Sequence, residues 1–142
     1  RFSVKCRLGN ENFTEQTFFN FTDMLVENGV ELITLHARTI KEKYRGLPRY
    51  EFAKKLSQRY EKKIKVYVNG CIKDTASAKF AIQQAPEADG IMIARAAAER
   101  PWIFAQIKNG LEDSAEKITV DRMQTALNII DNVEKFQPKE FH

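Results

Sequence analysis

The chain has 142 residues, of which 43% are hydrophobic and 30% are charged, and its formal net charge is +4. This length supports one domain with a real core, or part of a larger one, and the composition is that of a globular rather than a disordered protein. No apolar run approaches the roughly 20 residues of a membrane helix, and no secretory leader is visible at the N-terminus.

Cysteine usage is low: Cys6 and Cys71 are the only two, and they lie in different segments. Two separated thiols predict neither a disulfide framework nor a metal cage. We therefore expect no metal site and a reducing, cytoplasmic setting.

Four apolar runs along the chain are predicted to be strands, and each is followed by a helical pattern. The runs are residues 2–8, 31–35, 64–68 and 89–93. The helical patterns are residues 14–28, 48–60, 74–84 and a short helix from 101. Pro48 is predicted as a first helical residue, and Asp74 or Thr75 as a helix cap. The spacing between runs is typical of βα units with right-handed crossovers.

The strands read as mostly continuous apolar runs, which is typical of a parallel sheet covered on both faces. Four βα units form either half of an eight-fold barrel or a small open sheet. Lys5 and Arg7 point the same way within one strand, as do His36 and Arg38, and charges inside a sheet need a cofactor or a polar cavity. The chain also opens directly in a strand, as a fragment would. We therefore predict an α/β fold, a partial TIM (β/α)8 barrel, over residues 1–109.

The amino-acid composition changes from about residue 110. An acidic stretch leads into an amphipathic helix predicted over residues 120–136. Its apolar side chains are expected to face inward: Met123, Ala126, Leu127, Ile130 and Val133. We predict that residues 110–142 are a linker and the first helix of a truncated α-helical domain.

Polar residues follow the last two strands, with Asn69 and Gly70 after one and Ala94 and Arg95 after the next. In barrels of this type a phosphate commonly binds between the loops after strands seven and eight, near a short helix. Gly70 lets the backbone approach closely, Asn69 offers hydrogen bonds, and Arg95 offers a forked donor. An ordinary turn and a surface arginine remain the alternative.

Two further residues at the first two strands are candidates for a cofactor site. Lys5 lies in an otherwise apolar strand, where a positive charge can meet the N1 and C2 carbonyl edge of a flavin. His36 ends the second strand, and an imidazole there can bind a flavin or a phosphate. The alternatives are an outward-facing lysine on an edge strand and a structural histidine.

Positive charge is concentrated in residues 41–65, which hold ten basic and three acidic residues. Lys41, Lys43 and Arg45, with Tyr44 between them, form a basic loop beside the strand end that carries Arg38. Such a loop beside a cofactor is where a nucleic acid could enter. A solvated, lysine-rich helix face is the other interpretation of the charge.

Four segments in this order resemble the tRNA-dihydrouridine synthases. They are VKCRLG at residues 4–9, HART with YRG at 36–39 and 44–46, NGCI at 69–72, and DGIMIAR with PWIF at 89–95 and 101–104. Each motif alone is weak, but together they are specific and cover residues 3–107. The remaining tail resembles the start of the C-terminal helical domain of that family less specifically.

The resemblance implies an FMN-dependent enzyme that reduces uridine in tRNA to 5,6-dihydrouridine with NADPH. It assigns FMN contacts to Lys5 and His36, and tRNA or uridine contact to Arg38, beside the basic loop. The residues it assigns to the phosphate side of FMN are Asn69, Gly70, Arg95 and, through its backbone N–H, Ala94.

The chain also departs from the family pattern. Family glycines are replaced by Ala37 and Ala94, and no segment carries the proton-donating cysteine of the family, a role that we assign to neither Cys6 nor Cys71. We therefore expect that cysteine upstream of Arg1 and expect this chain to be inactive by itself. The alternatives are another FMN-dependent barrel oxidoreductase acting on a small molecule, such as a dihydroorotate-type enzyme, and a non-catalytic RNA-binding module.

Overall fold

A computed structural model describes residues 2–43, 45–114 and 118–136. Its strands are β1 (Phe2–Gly9), β2 (Val30–Thr39), β3 (Lys65–Asn69) and β4 (Gly90–Met92). Its helices are α1 (Glu15–Glu27), α2 (Glu51–Tyr60), α3 (Thr75–Gln84), α4 (Arg95–Glu99), α5 (Ile103–Leu111) and α6 (Arg122–Phe136). The strands form one parallel sheet in the order β1-β2-β3-β4. Sequential parallel strands with helical crossovers are the architecture of a partial TIM barrel, and the predicted fold class is confirmed.

Helices α1 and α3 begin at side-chain caps that the sequence encodes locally. The Thr14 hydroxyl accepts a hydrogen bond from the Thr17 backbone N–H at 3.1 Å, and the Thr17 hydroxyl accepts one from Thr14 N–H at 3.2 Å. Asp74 and Ser77 form the same reciprocal pair at the start of α3, with distances of 2.8 and 3.1 Å. These capping boxes end the loops that follow β1 and β3, and the predicted cap at Asp74 is confirmed.

Helix α2 begins differently from its prediction. Pro48 is not its first residue, because the helix starts at Glu51 and Pro48 lies in the preceding loop. The Arg49 backbone N–H donates to the Ala37 carbonyl at 2.8 Å, which ties this loop to the end of β2. No side-chain hydrogen bond caps the helix, because the residue at that position, Tyr50, uses its side chain elsewhere.

The two faces of the sheet differ sharply in chemistry. Ile33 and Leu35 of β2 are fully buried and join an apolar cluster with helical residues such as Phe18 and Leu56. The alternate residues of the same strand face the other way. They are polar: Thr34, His36 and Arg38. The expected parallel sheet is present, and the polar residues of β2 on its second face are buried as well.

The C-terminal segment also departs from expectation. A short helix, α4, precedes the helix expected from residue 101, and that later helix begins at Ile103. Helix α6 forms as predicted, but its apolar residues are exposed, Met123 by 72%, so the inward assignment is wrong for the described chain. The pattern specifies an apolar face, and no described residue covers it. Among the described residues no helix is long and apolar enough to cross a membrane.

Candidate functional site

Strand register brings the polar residues of neighbouring strands into one row. Arg7 of β1 pairs with His36 of β2, His36 pairs with Asn69 of β3, and Asn69 pairs with Met92 of β4. Because partners in a parallel ladder project on the same face, the side chains of this row share the polar face of the sheet. The predicted convergence of strand ends is therefore present. Lys5 lies two residues before Arg7 on that same face and is exposed.

His36 is at the centre of this row. Its residue surface is only 9% exposed, and its Nε2 is buried with no hydrogen-bond partner among the described residues. Burial lowers the pKa of His36 to about 4, with smaller contributions from nearby positive charges. Those charges belong to Arg7, Arg38, Lys5 and Arg95. The imidazole is therefore neutral at pH 7, and four cations act on it.

Gly70 packs directly against this imidazole. It has φ +113°, and a Cβ built there would lie 2.6 Å from Cδ2 and 2.8 Å from Nε2 of His36. The same Cβ would lie 3.0 Å from Cγ of Pro48. Only glycine fits this position without displacing its neighbours, and the close backbone approach to a phosphate expected at Gly70 stays a prediction.

The turn at residues 69–71 is held by three side-chain contacts. Asn69 is buried and its Nδ2 donates to the Met92 carbonyl at 2.9 Å, which joins β3 to β4. Tyr50 donates its hydroxyl to the Gly70 carbonyl. Arg38 approaches the Cys71 Sγ at 3.2 Å. Sequence reasoning missed Tyr50, because a tyrosine before a helix carries no local sign of a partner 20 residues away.

Arg38 is buried, whereas a contact with RNA at the surface needs an exposed side chain. It is 2% exposed, and its guanidinium donates to the Gly46 carbonyl as well as contacting Cys71. Its Nε is buried without a partner in the described part of the chain. Arg38 therefore ties the loop after β2 to the turn after β3, and its assigned contact with tRNA stays a prediction.

Ala94 and Arg95 lie where β4 meets α4. Ala94 has φ −107° and ψ −99°, so alanine needs no left-handed backbone there. Ala37 lies within β2, buried on the apolar face. Neither replacement of an expected glycine requires a positive φ. Arg95 is the first residue of α4, is exposed, and is close enough to His36 to lower its pKa.

The basic stretch divides into separate regions in the fold. Lys41, Lys43 and Arg45 are exposed in the loop after β2, and Lys41 lies 3.6 Å from a Glu11 carboxylate oxygen. Tyr44, the aromatic residue of this loop, lies outside the described residues. We call these three cations the basic rim.

Other cations of the stretch are used elsewhere. On α2, Lys55 pairs with Glu15 at 2.6 Å, and Arg59 pairs with Asp23 at 2.6 Å. A third group of exposed lysines precedes or begins β3, at the opposite end of the sheet from His36: Lys62, Lys63 and Lys65. Only part of the positive excess therefore faces the site, because helix packing and strand ends distribute it.

The two thiols lie in different environments. Cys6 points to the apolar face of β1, and burial raises its pKa to about 11, against a smaller opposing effect of Lys5. Cys71 is exposed beside Arg38. Arg1 lies outside the described residues, so the catalytic cysteine expected upstream of it stays a prediction. Among the described residues, no group of three or more His, Cys, Asp or Glu side chains could hold a metal ion.

The arrangement has a definite binding chemistry. A buried imidazole nitrogen without a partner in the described structure lies against Gly70, and four positive charges lower the pKa of the imidazole. Cations and a close backbone approach suit a phosphate or another anion, and the unpartnered nitrogen suits a polar ring edge. A phosphorylated, aromatic cofactor such as FMN fits these residues.

Comparison with known proteins identifies a family for this chain. The family model described as dihydrouridine synthase matches residues 1–141. A probable tRNA-dihydrouridine synthase of Rickettsia bellii is 33% identical over 115 residues, covering 81% of this chain and 34% of the relative. A tRNA-dihydrouridine(20/20a) synthase of Xanthomonas campestris is 30% identical over 131 residues, covering 86% and 38%.

A third relative, tRNA-dihydrouridine synthase B of Vibrio parahaemolyticus, is 35% identical over 97 residues, covering 68% of this chain and 28% of the relative. The chain thus spans about a third of the length of the curated relatives it matches. Because the family model matches nearly every residue, the chain belongs to the dihydrouridine synthase family.

Proposed function

We propose that this chain is part of a tRNA-dihydrouridine synthase. The enzyme would reduce uridine in tRNA to 5,6-dihydrouridine, with FMN as cofactor and NADPH as reductant. One observation carries the proposal: His36 is neutral, its Nε2 is buried without a partner in the described residues, and it lies against Gly70 within reach of four cations. Family membership supports the reaction, and the site supports the cofactor.

His36 and the residues near it have separate roles in this proposal. His36 contributes its neutral imidazole to the flavin site, and Lys5 supplies a positive charge on the same face. Gly70 leaves space beside the imidazole, and Arg95 holds phosphate oxygens with a forked donor. Bound FMN supplies hydride chemistry, and the protein binds and orients it.

Asn69 and Ala94 complete the phosphate side of the proposed site. Asn69 donates one of its two amide hydrogens to the Met92 carbonyl, which leaves the second to donate to a phosphate oxygen. Ala94 precedes α4 and offers its backbone N–H there. These two residues lie at the ends of neighbouring parallel strands, where barrel enzymes bind phosphate.

The basic rim is proposed to guide tRNA to this end of the sheet. Lys41, Lys43 and Arg45 project from the loop after β2, the strand that carries His36. Phosphate contacts by such cations attract RNA without reading its sequence. The target uridine must unstack to reach the flavin, a cost met by contacts elsewhere on the RNA.

The acid that protonates the reduced base is proposed to be a cysteine outside this chain, upstream of Arg1. The proposal assigns this role to neither cysteine of the chain. Cys6 faces the apolar core with a raised pKa, and Cys71 contacts Arg38 in the turn after β3. The chain by itself is therefore proposed to be inactive in uridine reduction.

The domain boundary is part of the same proposal. Residues 1–109 are proposed to be barrel, and residues 110–142 to begin a helical tRNA-binding domain. The exposed apolar face of α6 supports this boundary, because such a face needs a partner surface. Residues 115–117 and 137–142 lie outside the residues that the structure describes. Because its proposed substrate is tRNA, we propose that the protein is located in the cytoplasm.

The test uses the full-length gene product, purified and assayed with NADPH and tRNA that lacks dihydrouridine. We expect a flavin absorption spectrum, release of FMN on denaturation, and two added hydrogen atoms per modified uridine by mass spectrometry. Flavin without dihydrouridine would favour an oxidoreductase acting on a small molecule. A protein that binds tRNA with no flavin would favour the non-catalytic RNA-binding alternative.

A further inference from the structure

The turn at residues 69–71 holds a non-glycine residue, Cys71, in a strained backbone conformation. Gly70 has φ +113° and Cys71 has φ +56°, so two successive residues lie in the left-handed half of backbone space. A non-glycine residue there costs free energy, and such conformations persist only when surrounding contacts over-determine them. The contacts that hold this turn therefore decide where Gly70 lies relative to His36.

Tyr50 makes a contact of this kind. Its side chain donates a hydrogen bond from the phenol hydroxyl to the carbonyl of Gly70, the central residue of the turn. Tyr50 is only 3% exposed, and burial together with the nearby Cys71 raises the pKa of its phenol to about 12. The hydroxyl therefore stays protonated at neutral pH, and removing it would leave the buried acceptor unpaired at a cost in free energy.

Tyr50 is itself rigidly placed. Its ring packs edge-on against Phe80 of α3, with ring centroids 6.2 Å apart at an angle of 68°. The residue before it, Arg49, donates its backbone N–H to the Ala37 carbonyl of β2. The carbonyl of Tyr50 accepts the first backbone hydrogen bond of α2, from Ala53 at 2.9 Å. A side chain fixed by a strand, a helix and a neighbouring ring can hold a strained turn.

We propose that Tyr50 is a positioning residue for the cofactor: its hydroxyl fixes the Gly70 carbonyl and thereby keeps Gly70 seated against the His36 imidazole. This inference rests on the proposed function, because the cofactor it positions is the FMN assigned to this site. Tyr50 does not touch the cofactor in this role; it acts through Gly70.

The test compares two tyrosine-to-phenylalanine substitutions at the two ends of the same helix. Tyr50→Phe removes the hydroxyl bound to Gly70 and keeps the ring. Tyr60→Phe is the matched control, because Tyr60 is also buried and its hydroxyl also makes hydrogen bonds, to Thr22 and Asp23 of α1. Both variants lose one buried phenol hydroxyl, but only one loses contact with the turn.

Two readouts are measured on the full-length gene product. The dissociation constant for FMN, from quenching of flavin fluorescence, is expected to rise about fivefold to tenfold in Tyr50→Phe and less than twofold in Tyr60→Phe. The imidazole pKa of His36, followed by nitrogen NMR in FMN-free protein, is expected to rise from about 4 toward its usual value by about half a unit or more in Tyr50→Phe alone.

The outcomes separate the two proposals. Equal FMN affinity in the two variants, with an unchanged His36 titration, would overturn the role of Tyr50 while leaving FMN binding intact. If the unsubstituted protein binds no FMN, the proposed function fails, and the NMR titration in FMN-free protein still decides whether Tyr50 positions Gly70. A selective change in both readouts supports the proposal.

Discussion

Gly70 lies against the edge of the His36 imidazole so closely that a single added methyl carbon would come within 2.8 Å of Nε2. Two neighbouring strands meet here, because His36 of β2 is the register partner of Asn69 in β3. The contact buries the imidazole and contributes to its desolvation, and it leaves one ring nitrogen without a partner among the described residues. Several measurable properties of the protein depend on this pair.

Gly70→Ala is expected to destabilise the protein by about 2–4 kcal/mol, because it combines a left-handed backbone with a clash against His36. Gly29→Ala is the matched control: Gly29 also has a positive φ, +85°, but a Cβ there meets nothing within 4 Å. It should cost about 1 kcal/mol from the backbone alone. Urea denaturation measures both. Equal losses would show that the contact with His36 is easily relieved.

Stability should fall as the pH drops from neutral toward 4. The folded protein holds the pKa of His36 at about 4, below the unfolded value near 6.5, so the unfolded chain binds this proton first. The contribution is fully present above pH 6.5 and is lost progressively below it, by as much as about 3 kcal/mol at pH 4. Urea denaturation between pH 7 and pH 4 measures the slope.

His36→Gln is the control for this slope, because glutamine does not titrate. Acidic groups such as Asp23 and Asp74, whose pKa values are lowered by their hydrogen bonds, titrate in both proteins and cancel in the comparison. The difference in stability between the two proteins should therefore shrink or reverse as the pH falls. A constant difference between pH 7 and pH 4 would show that His36 titrates normally.

Arg95→Ala should weaken FMN binding by about tenfold or more, because a charge-assisted forked donor to phosphate is lost. Arg95→Lys should recover part of this loss, since it keeps the charge without the fork. Arg122→Ala, an exposed arginine at the start of α6, is the control. Flavin fluorescence titration measures all three. Unchanged FMN affinity in Arg95→Ala would remove Arg95 from the phosphate site.

Neutralising the basic rim with Lys41→Gln, Lys43→Asn and Arg45→Gln should weaken tRNA binding and flatten its dependence on salt. Each lost phosphate contact lowers the slope of log K against log salt by about 0.7–0.9, so the triple variant should lose about 2 units of slope. Asparagine is used at position 43 because Lys43 has φ +47°, a conformation that asparagine tolerates. Filter binding of unmodified tRNA at several salt concentrations measures the effect.

The control for the basic rim removes the same charge from the opposite end of the sheet. It replaces three exposed lysines: Lys62 with asparagine, because its φ is +65°, and Lys63 and Lys65 with glutamine. This variant should keep most of its affinity and its salt slope. If both triple variants lose affinity equally, tRNA is attracted by the overall charge of the protein and the rim has no special role.

Much of the fold follows from local patterns in the chain. The four βα units, the cap at Asp74 and the helix at the C-terminus were predictable because periodicity and capping depend on residues a few positions apart. The candidate residues His36, Asn69 and Arg95 were found at strand ends for the same reason. Expectations failed where the answer depended on distant neighbours: Pro48 lies before its helix, and the apolar face of α6 is exposed.

The order of the residues along the chain determined by itself that polar and glycine residues follow the parallel strands. Because parallel strands joined by helices bring their carboxyl ends to one edge, these residues also had to lie at the same edge of the sheet. Tertiary structure alone decided which side chains meet there. Register pairs His36 with Asn69, packing buries Arg38, and Tyr50 reaches a carbonyl 20 residues away. Those contacts join residues that are far apart in the chain, and the burial and charge they create decide the protonation state of the imidazole.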